Sequence, residues 1–213
     1  NNHDLARCAE QALHAAKSQG RAQRRFFDEA MNEYASIRLA QESELRRAIA
    51  DRQLRVHYQA KVDARSGTMV GAEALVRWQH PTRGLVPPGD FIALAEESGQ
   101  ILALTACVLE TVCSDLARWR NAGQTVVPVS VNLASPSFSS DALPAQLTDL
   151  VQRHGLTPAA LVLEVTESIL MADIDRVVVR LEGLRALGFS VSLDDFGTGY
   201  SSLSYLKRFP IDE

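Results

Sequence analysis

The sequence lacks several features that would assign it to a specialised class of protein. No apolar run approaches the ~20 residues of a membrane-spanning helix, and no signal peptide is visible. The three cysteines, Cys8, Cys107 and Cys113, are not spaced like metal ligands, and their number is odd. Cysteines that stay reduced favour a cytoplasmic location. The net charge of −4 excludes a broad basic surface for DNA or RNA polymers. Because residue 1 is not Met, we expect a longer parent protein, and the sequence is compatible with a membrane anchor upstream of it.

Two common catalytic arrangements are also missing. The five histidines do not form a metal-ligand set, and no nucleophile is accompanied by a paired base. Ser201 and Ser202 are better placed to cap a helix than to attack a substrate. Cys107 and Cys113 fall in an apolar helical run, which predicts core positions for both.

Strand-like and helix-like segments alternate through most of the chain. Residues 31–52 are predicted to be helical, with Leu39, Leu45 and Ile49 on one face. The predicted strands are Leu54–Ala64, Met69–Trp78, Val126–Leu133, Leu161–Glu167 and Ser190–Phe196. The predicted helices are one from an Asp90 N-cap to near Gly99, then Ile101–Arg120, Ala142–His154, Ile174–Leu187 and one from Ser201. This pattern predicts an α/β fold, with an initial hairpin followed by a parallel sheet and crossover helices.

Two adjacent carboxylates, Asp194 and Asp195, stand where the last predicted strand meets a glycine-rich turn that contains Gly197 and Gly199. Neighbouring side chains on a strand point to opposite faces, so both can serve one site only where the backbone turns. Such a pair suits hard cations such as Mg²⁺ or Mn²⁺. An acidic strand end that caps the following helix is the alternative interpretation.

Other predicted strands also carry a polar residue near the carboxyl end: Glu73, Asn132, and the pair Glu164 and Glu167. A single polar residue in an apolar strand is usually a satisfied core side chain. Several carboxylates brought together need cations to balance them. The set therefore favours a site for two divalent ions and phosphoryl chemistry over a purely structural role.

Several separated motifs, in this order, resemble the EAL family of cyclic di-GMP phosphodiesterases. They are Tyr58-Gln-Ala-Lys-Val-Asp63, Glu73-Ala-Leu-Val-Arg-Trp78, Pro88-Gly-Asp-Phe-Ile92, Ser130-Val-Asn-Leu133, Glu164-Val-Thr-Glu167 and Asp194-Asp-Phe-Gly-Thr-Gly-Tyr-Ser-Ser-Leu203. The resemblance implies a (β/α)₈, TIM-like EAL barrel whose first strand is antiparallel. It also implies Mg²⁺- or Mn²⁺-dependent hydrolysis of cyclic di-GMP to linear 5′-pGpG, and a homodimer formed through this domain.

The resemblance also implies roles for individual residues. Carried over by position, the metal ligands are Glu73, Asn132, Glu164 and Asp194, with Asp195 at the second metal. Those implied to contact the dinucleotide are Gln59, Leu75 and Arg77, and Glu167 is implied to support the glycine-rich loop.

The opening residues resemble the C-terminal tail of a GGDEF domain, through Ala12-Leu-His-Ala-Ala-Lys-Ser-Gln-Gly20 and the Arg-Phe-Phe-Asp that follows. We therefore expect residues 1–30 to be such a tail, 31–42 to be a linker helix and 43–213 to be the EAL domain. GGDEF and sensory domains are expected further upstream in the parent protein. The Gly-Gly-Asp-Glu-Phe signature itself is missing, so cyclase activity is not predicted.

The sequence departs from the family pattern at two places. Ala60 replaces the usual proline, and the chain ends at Glu213, after the fifth strand and the helix that follows it. The family's later catalytic lysine, glutamate ligand and ligand-binding glutamine come after this point, so we expect a truncated barrel that is a piece of a longer polypeptide. A non-catalytic cyclic di-GMP receptor and a fragment that only dimerises are the alternative functions.

Overall fold

The computed structural model describes residues 13, 29–194 and 209–212. The chain divides into two compact units, residues 1–47 and 48–213. Helix α1, Glu29–Ala50, runs through this boundary. Leu45 is buried, but Leu39 is 66% exposed, so the prediction that the two share one face of this helix is wrong.

Strands and helices alternate through the second unit. The strands are β1 (Leu54–Val62), β2 (Met69–His80), β3 (Gly84–Val86), β4 (Val129–Asn132), β5 (Leu161–Thr166) and β6 (Ser190–Asp194). The helices are α2 (Ile92–Glu97), α3 (Ile101–Asn121), α4 (Ser135–Phe138), α5 (Leu143–Arg153), α6 (Glu167–Ala172) and α7 (Ile174–Ala186). Gly123 and Gly155 follow α3 and α5 with φ of +74° and +63°, a left-handed conformation that ends helices and that glycine adopts cheaply.

The strands form one sheet in the order β1-β2-β4-β5-β6, with β3 paired to the end of β2. β1 and β2 are antiparallel, and β2, β4, β5 and β6 are parallel to one another. The sequence predicted both the hairpin and the parallel strands, and both predictions are confirmed. The carboxyl ends of the four parallel strands consequently lie along one edge of the sheet.

The two faces of the sheet differ in polarity. Alternate residues such as Ala74, Val131, Leu163 and Val191 carry apolar, buried side chains on one face, here called the apolar face. The buried apolar side chains of α3, α5 and α7 complete this core. The residues that alternate with these along each strand point to the opposite face, here called the polar face.

Tyr58 of β1 joins the apolar face to helix α3. Its hydroxyl donates a hydrogen bond of 2.8 Å to Asp115 Oδ2, and its ring meets Trp119 edge to face with centroids 4.9 Å apart. Burial is the main cause that raises the pKa of Tyr58, and the bond to the Asp115 carboxylate adds to it. The fold therefore holds this phenol in its neutral form.

We expect Tyr58→Phe to lower the free energy of unfolding by about 1 kcal/mol at neutral pH, because Asp115 Oδ2 loses the hydroxyl donor while Oδ1 keeps its contact with Arg118. Because folding raises the pKa of this phenol, the phenol stabilises the protein fully at pH values below the unfolded-state pKa of ~10. This stabilisation is lost progressively as the pH rises above that value. Urea unfolding between pH 7 and 11 checks both effects. The variant should show a smaller loss at high pH than the parent, whereas Tyr34→Phe, at an exposed position, should match the parent.

Several boundaries differ from the sequence prediction. Asp90 ends a 3₁₀ turn, Pro88–Asp90, and Phe91 is the N-cap of α2 without a side-chain cap bond, so the predicted Asp90 cap is wrong. Phe91 is buried, and its ring meets the Trp78 ring edge to face with centroids 5.9 Å apart. Strand β3 and the short helices α4 and α6 were not predicted.

Both described cysteines are free thiols. Cys113 is buried in α3 as predicted, and burial raises the pKa of Cys113 to about 12, which disfavours the reactive thiolate. Cys107 is only half-buried, so its prediction as a core residue is wrong. None of the helices within residues 29–194 has the length and hydrophobicity that crossing a membrane requires.

Candidate active site

The polar face carries most of the residues that the sequence singled out. It presents Gln59 and Lys61 of β1, Gly71, Glu73, Leu75 and Arg77 of β2, Ser130 and Asn132 of β4, Val162, Glu164 and Thr166 of β5, and Ser190, Ser192 and Asp194 of β6. The period of two along each strand puts these side chains on one surface. The sheet register then decides which of them are neighbours.

Glu73 and Asn132 are in direct contact across β2 and β4. The amide Nδ2 of Asn132 donates a hydrogen bond of 3.2 Å to Glu73 Oε1. Asn132 is also level with Glu164 in the pairing of β4 with β5. Three predicted site residues from three adjacent strands are thus brought together.

Glu164 is the most buried carboxylate of this group, with 7% of its side chain exposed. Lys61 Nζ lies 2.7 Å from Glu164 Oε1 and donates a second hydrogen bond of 2.7 Å to Ser130 Oγ. A buried carboxylate needs such a partner, because an unpaired charge in this position is strongly unfavourable. No role was predicted for Lys61 from the sequence. Lys61 nevertheless follows Gln59 by two residues on the same strand, and this spacing predicts that the two side chains share a face.

The electrostatic environment of Glu73 reflects its neighbours. Desolvation is the largest cause that raises the pKa of Glu73, and repulsion from Glu164 and Asp194 adds to it. The hydrogen bond from Asn132 and the charge of Lys61 act in the opposite direction. Three carboxylates, Glu73, Glu164 and Asp194, thus influence one another here, an arrangement that is typical of a cation site.

Asp194 ends β6, and its backbone is level with Thr166 of β5, two residues further toward the carboxyl edge than Glu164. Glu167 is buried at the start of α6, directly after β5, rather than on the strand as predicted. Asp195 and the glycine-rich turn lie outside the described residues. The implied second-metal role of Asp195 and the loop-supporting role of Glu167 stay predictions.

The three residues implied to contact a dinucleotide flank Glu73. Gln59 is directly opposite Glu73 on β1 and is exposed, and Leu75 and Arg77 follow at two-residue steps on β2. Arg77 is half-buried, and its Nη1 donates a hydrogen bond of 2.8 Å to the carbonyl of Val76. A polar, a hydrophobic and a cationic side chain therefore border the carboxylates on one side.

The donor chemistry of this cluster fits a hard divalent cation. Glu73, Glu164 and Asp194 supply carboxylate oxygens, and Asn132 supplies an amide oxygen if its side chain turns over. Within the described part of the chain, no three His, Cys, Asp or Glu side chains already stand in metal-binding geometry. Glu164 is engaged by Lys61 instead, so a metal ion needs a local rearrangement of side chains.

A second concave region lies away from the polar face, between α3 and α5. Its volume is about 360 Å³, and its lining includes Leu102, Leu109 and Leu147. At its rim, Glu110 pairs with Arg153 at 3.4 Å and with His154 at 2.8 Å. Arg153 also pairs with Asp149 at 2.8 Å, so both carboxylates at this rim have partners, and the polar face is the stronger candidate for chemistry.

Comparisons with known proteins identify relatives that align with almost the whole chain. The chain is 44% identical over 211 residues to the bifunctional diguanylate cyclase/cyclic di-GMP phosphodiesterase MucR of Pseudomonas aeruginosa, covering 99% of this chain and 31% of that protein. It is 43% identical over 209 residues to the cyclic di-GMP phosphodiesterase NbdA of the same organism, covering 98% and 27%. The chain thus spans about a third or less of the length of these relatives.

A solved structure of the MucR phosphodiesterase from Pseudomonas aeruginosa in complex with cyclic di-GMP superposes with a TM-score of 0.77 at 45% identity, covering 82% of this chain and 70% of that one. The TIM-like EAL fold that the sequence predicted is confirmed, with β1 antiparallel. The EAL domain model matches residues 42–213, and the chain belongs to the EAL family.

Proposed function

We propose that the polar face is the active site of a metal-dependent phosphodiesterase that hydrolyses cyclic di-GMP to linear 5′-pGpG. The observation that carries the proposal is the cluster of Glu73, Asn132, Glu164 and Asp194 on one face of four adjacent strands, with Asn132 and Asp194 ending β4 and β6 at the carboxyl edge of the sheet. This edge is where enzymes of the barrel fold hold their active sites. The two relatives with 44% and 43% identity bear names that include this phosphodiesterase activity.

Under this proposal Glu73, Asn132, Glu164 and Asp194 hold Mg²⁺ or Mn²⁺, and Asp195 contacts a second ion. When bound, the ions polarise a phosphodiester and make a water molecule more acidic. Asn132 orients Glu73 through their hydrogen bond, as groups around metal ligands commonly do.

The substrate lies on the side of Glu73 that Gln59, Leu75 and Arg77 border. The planar fork of Arg77 suits two oxygens of a phosphate, and the Leu75 side chain offers an apolar contact for a base. Gln59 is exposed opposite Glu73, where its amide is available to the ligand. Glu167, buried at the start of α6, supports the glycine-rich loop.

The proposal is tested by incubating the full-length protein with cyclic di-GMP and Mg²⁺ or Mn²⁺ and separating the products by chromatography. We expect linear pGpG, and we expect EDTA to stop its formation until metal is restored in excess. Cyclic di-GMP that binds but stays intact contradicts hydrolysis and selects the receptor alternative. Product that forms equally in EDTA contradicts the metal requirement.

The proposal extends to the organisation of the parent protein. Residues 1–30 are the tail of a GGDEF domain, 31–42 a linker helix and 43–213 the EAL domain, which pairs with a second copy. The support is the length of the relatives, of which this chain spans about a third or less. Light scattering of the full-length protein, with and without cyclic di-GMP, tests the homodimer.

A further inference from the structure

Lys61 reaches across the polar face to a carboxylate that is distant in the sheet. It belongs to β1, whereas Glu164 belongs to β5, three strands away in the order β1-β2-β4-β5. Its ammonium is nevertheless 2.7 Å from Glu164 Oε1 and 2.7 Å from Ser130 Oγ of the intervening β4. With 35% of the Lys61 side chain exposed against 7% for Glu164, the lysine enters the cluster from its more open side.

Gly71 leaves room for this lysine. The two residues are directly opposite in the β1–β2 pairing. A Cβ at position 71 would lie 3.8 Å from both Cβ and Cδ of Lys61, and 3.3 Å from the Pro128 carbonyl oxygen. The Lys61 stem thus passes at van der Waals distance from position 71, and a side chain longer than that of alanine would have to share this space.

We propose that Lys61 is a resident counter-ion of the carboxylate cluster, which a divalent metal ion must displace from Glu164 to use that carboxylate as a ligand. The inference rests on the proposed function, because it takes Glu164 as a metal ligand. An ammonium and a metal ion at the same carboxylate repel each other, and the repulsion is strong at such short range. Lys61 therefore holds Glu164 in place without metal and weakens metal binding.

The test is a titration of the full-length protein with Mn²⁺ alone, with free Mn²⁺ measured by electron paramagnetic resonance. Binding that is lost in Glu73→Ala is assigned to this site. We expect Lys61→Met, which keeps the stem and removes the charge, to bind Mn²⁺ about tenfold more tightly. Lys61→Arg should keep the weaker affinity of the parent. Lys61→Gln replaces the methionine variant if that protein does not fold.

The matched control is Arg55→Met, which removes one positive charge from the same strand and the same face. Arg55 is exposed and donates to the Arg52 carbonyl rather than to a carboxylate. Its Mn²⁺ affinity should stay within twofold of the parent.

An unchanged or weaker affinity in Lys61→Met, beside a parent that binds Mn²⁺ and forms pGpG, overturns the role of Lys61 and leaves the proposed function standing. If neither the parent nor the lysine variants bind Mn²⁺, the metal site itself is overturned, and the role of Lys61 with it. Tighter binding in Lys61→Met and Lys61→Gln but not in Arg55→Met supports the inference, even where hydrolysis is slow.

Discussion

Glu73→Gln is expected to lower kcat for cyclic di-GMP hydrolysis by at least about 1,000-fold, because residues that only support metal ligands already contribute about 10- to 100-fold. The glutamine keeps the shape of the side chain and an oxygen that accepts from Asn132, but it removes the negative charge. Steady-state kinetics by chromatography at saturating Mg²⁺ measures the effect. A kcat within tenfold of the parent contradicts the role of Glu73 as a ligand.

The same variant should be slightly more stable than the parent when metal is removed. Folding raises the pKa of Glu73, first through desolvation and then through Glu164 and Asp194, so the charged form opposes folding near neutral pH. Thermal unfolding in EDTA separates lost chemistry from lost structure. Glu110→Gln is the matched control, since Glu110 pairs with His154 and Arg153 away from the polar face, and its kcat should stay within twofold.

Leu163→Ala is expected to lower the free energy of unfolding by about 3 kcal/mol, the usual cost of an unfilled cavity in a packed core. Leu163 is fully buried on the apolar face of β5, between β4 and β6. Glu164, the next residue, faces the opposite way, so the substitution tests the packing beneath the site rather than its chemistry. Urea unfolding, followed by circular dichroism, measures the change.

Leu102→Ala on α3 is the matched control for this loss. Its side chain is 49% exposed, and removing it should change the free energy of unfolding by less than about 1 kcal/mol. Equal losses in the two variants would contradict the assignment of the apolar face as the core.

The alternation of segments was enough to predict the sheet, but not the extent of every strand. Val126–Leu133 was predicted as one strand, whereas β4 covers Val129–Asn132 alone. Pro128 has no N–H to donate, although its carbonyl accepts from Ala72 N at 3.0 Å, so regular pairing begins after it. Apolar β-branched residues before the proline extend the hydrophobic pattern without extending the ladder.

The sequence predicted the candidate site only in so far as the position of a residue along its strand indicates the face on which its side chain lies. Glu73, Asn132 and Glu164 were predicted to stand near strand ends, and the structure brings them together. The prediction is wrong for the position of Glu73, which lies in the first half of β2. The partner of Glu164 was not identified, because Lys61 is 103 residues away and the pairing depends on the sheet register. The alternation of side chains places a residue on a face, but only the completed sheet decides which residues on that face touch.

The order of the strands also constrains how the protein folds. The β1–β2 hairpin closes through a short turn, which has a low entropy of loop closure. The contact from Asn132 to Glu73 spans 59 residues, and that from Lys61 to Glu164 spans 103, so both require crossover connections to be complete. We therefore expect the carboxylate cluster to be assembled late in folding. In a refolding experiment, metal uptake at the proposed site would then follow sheet formation rather than accompany its beginning.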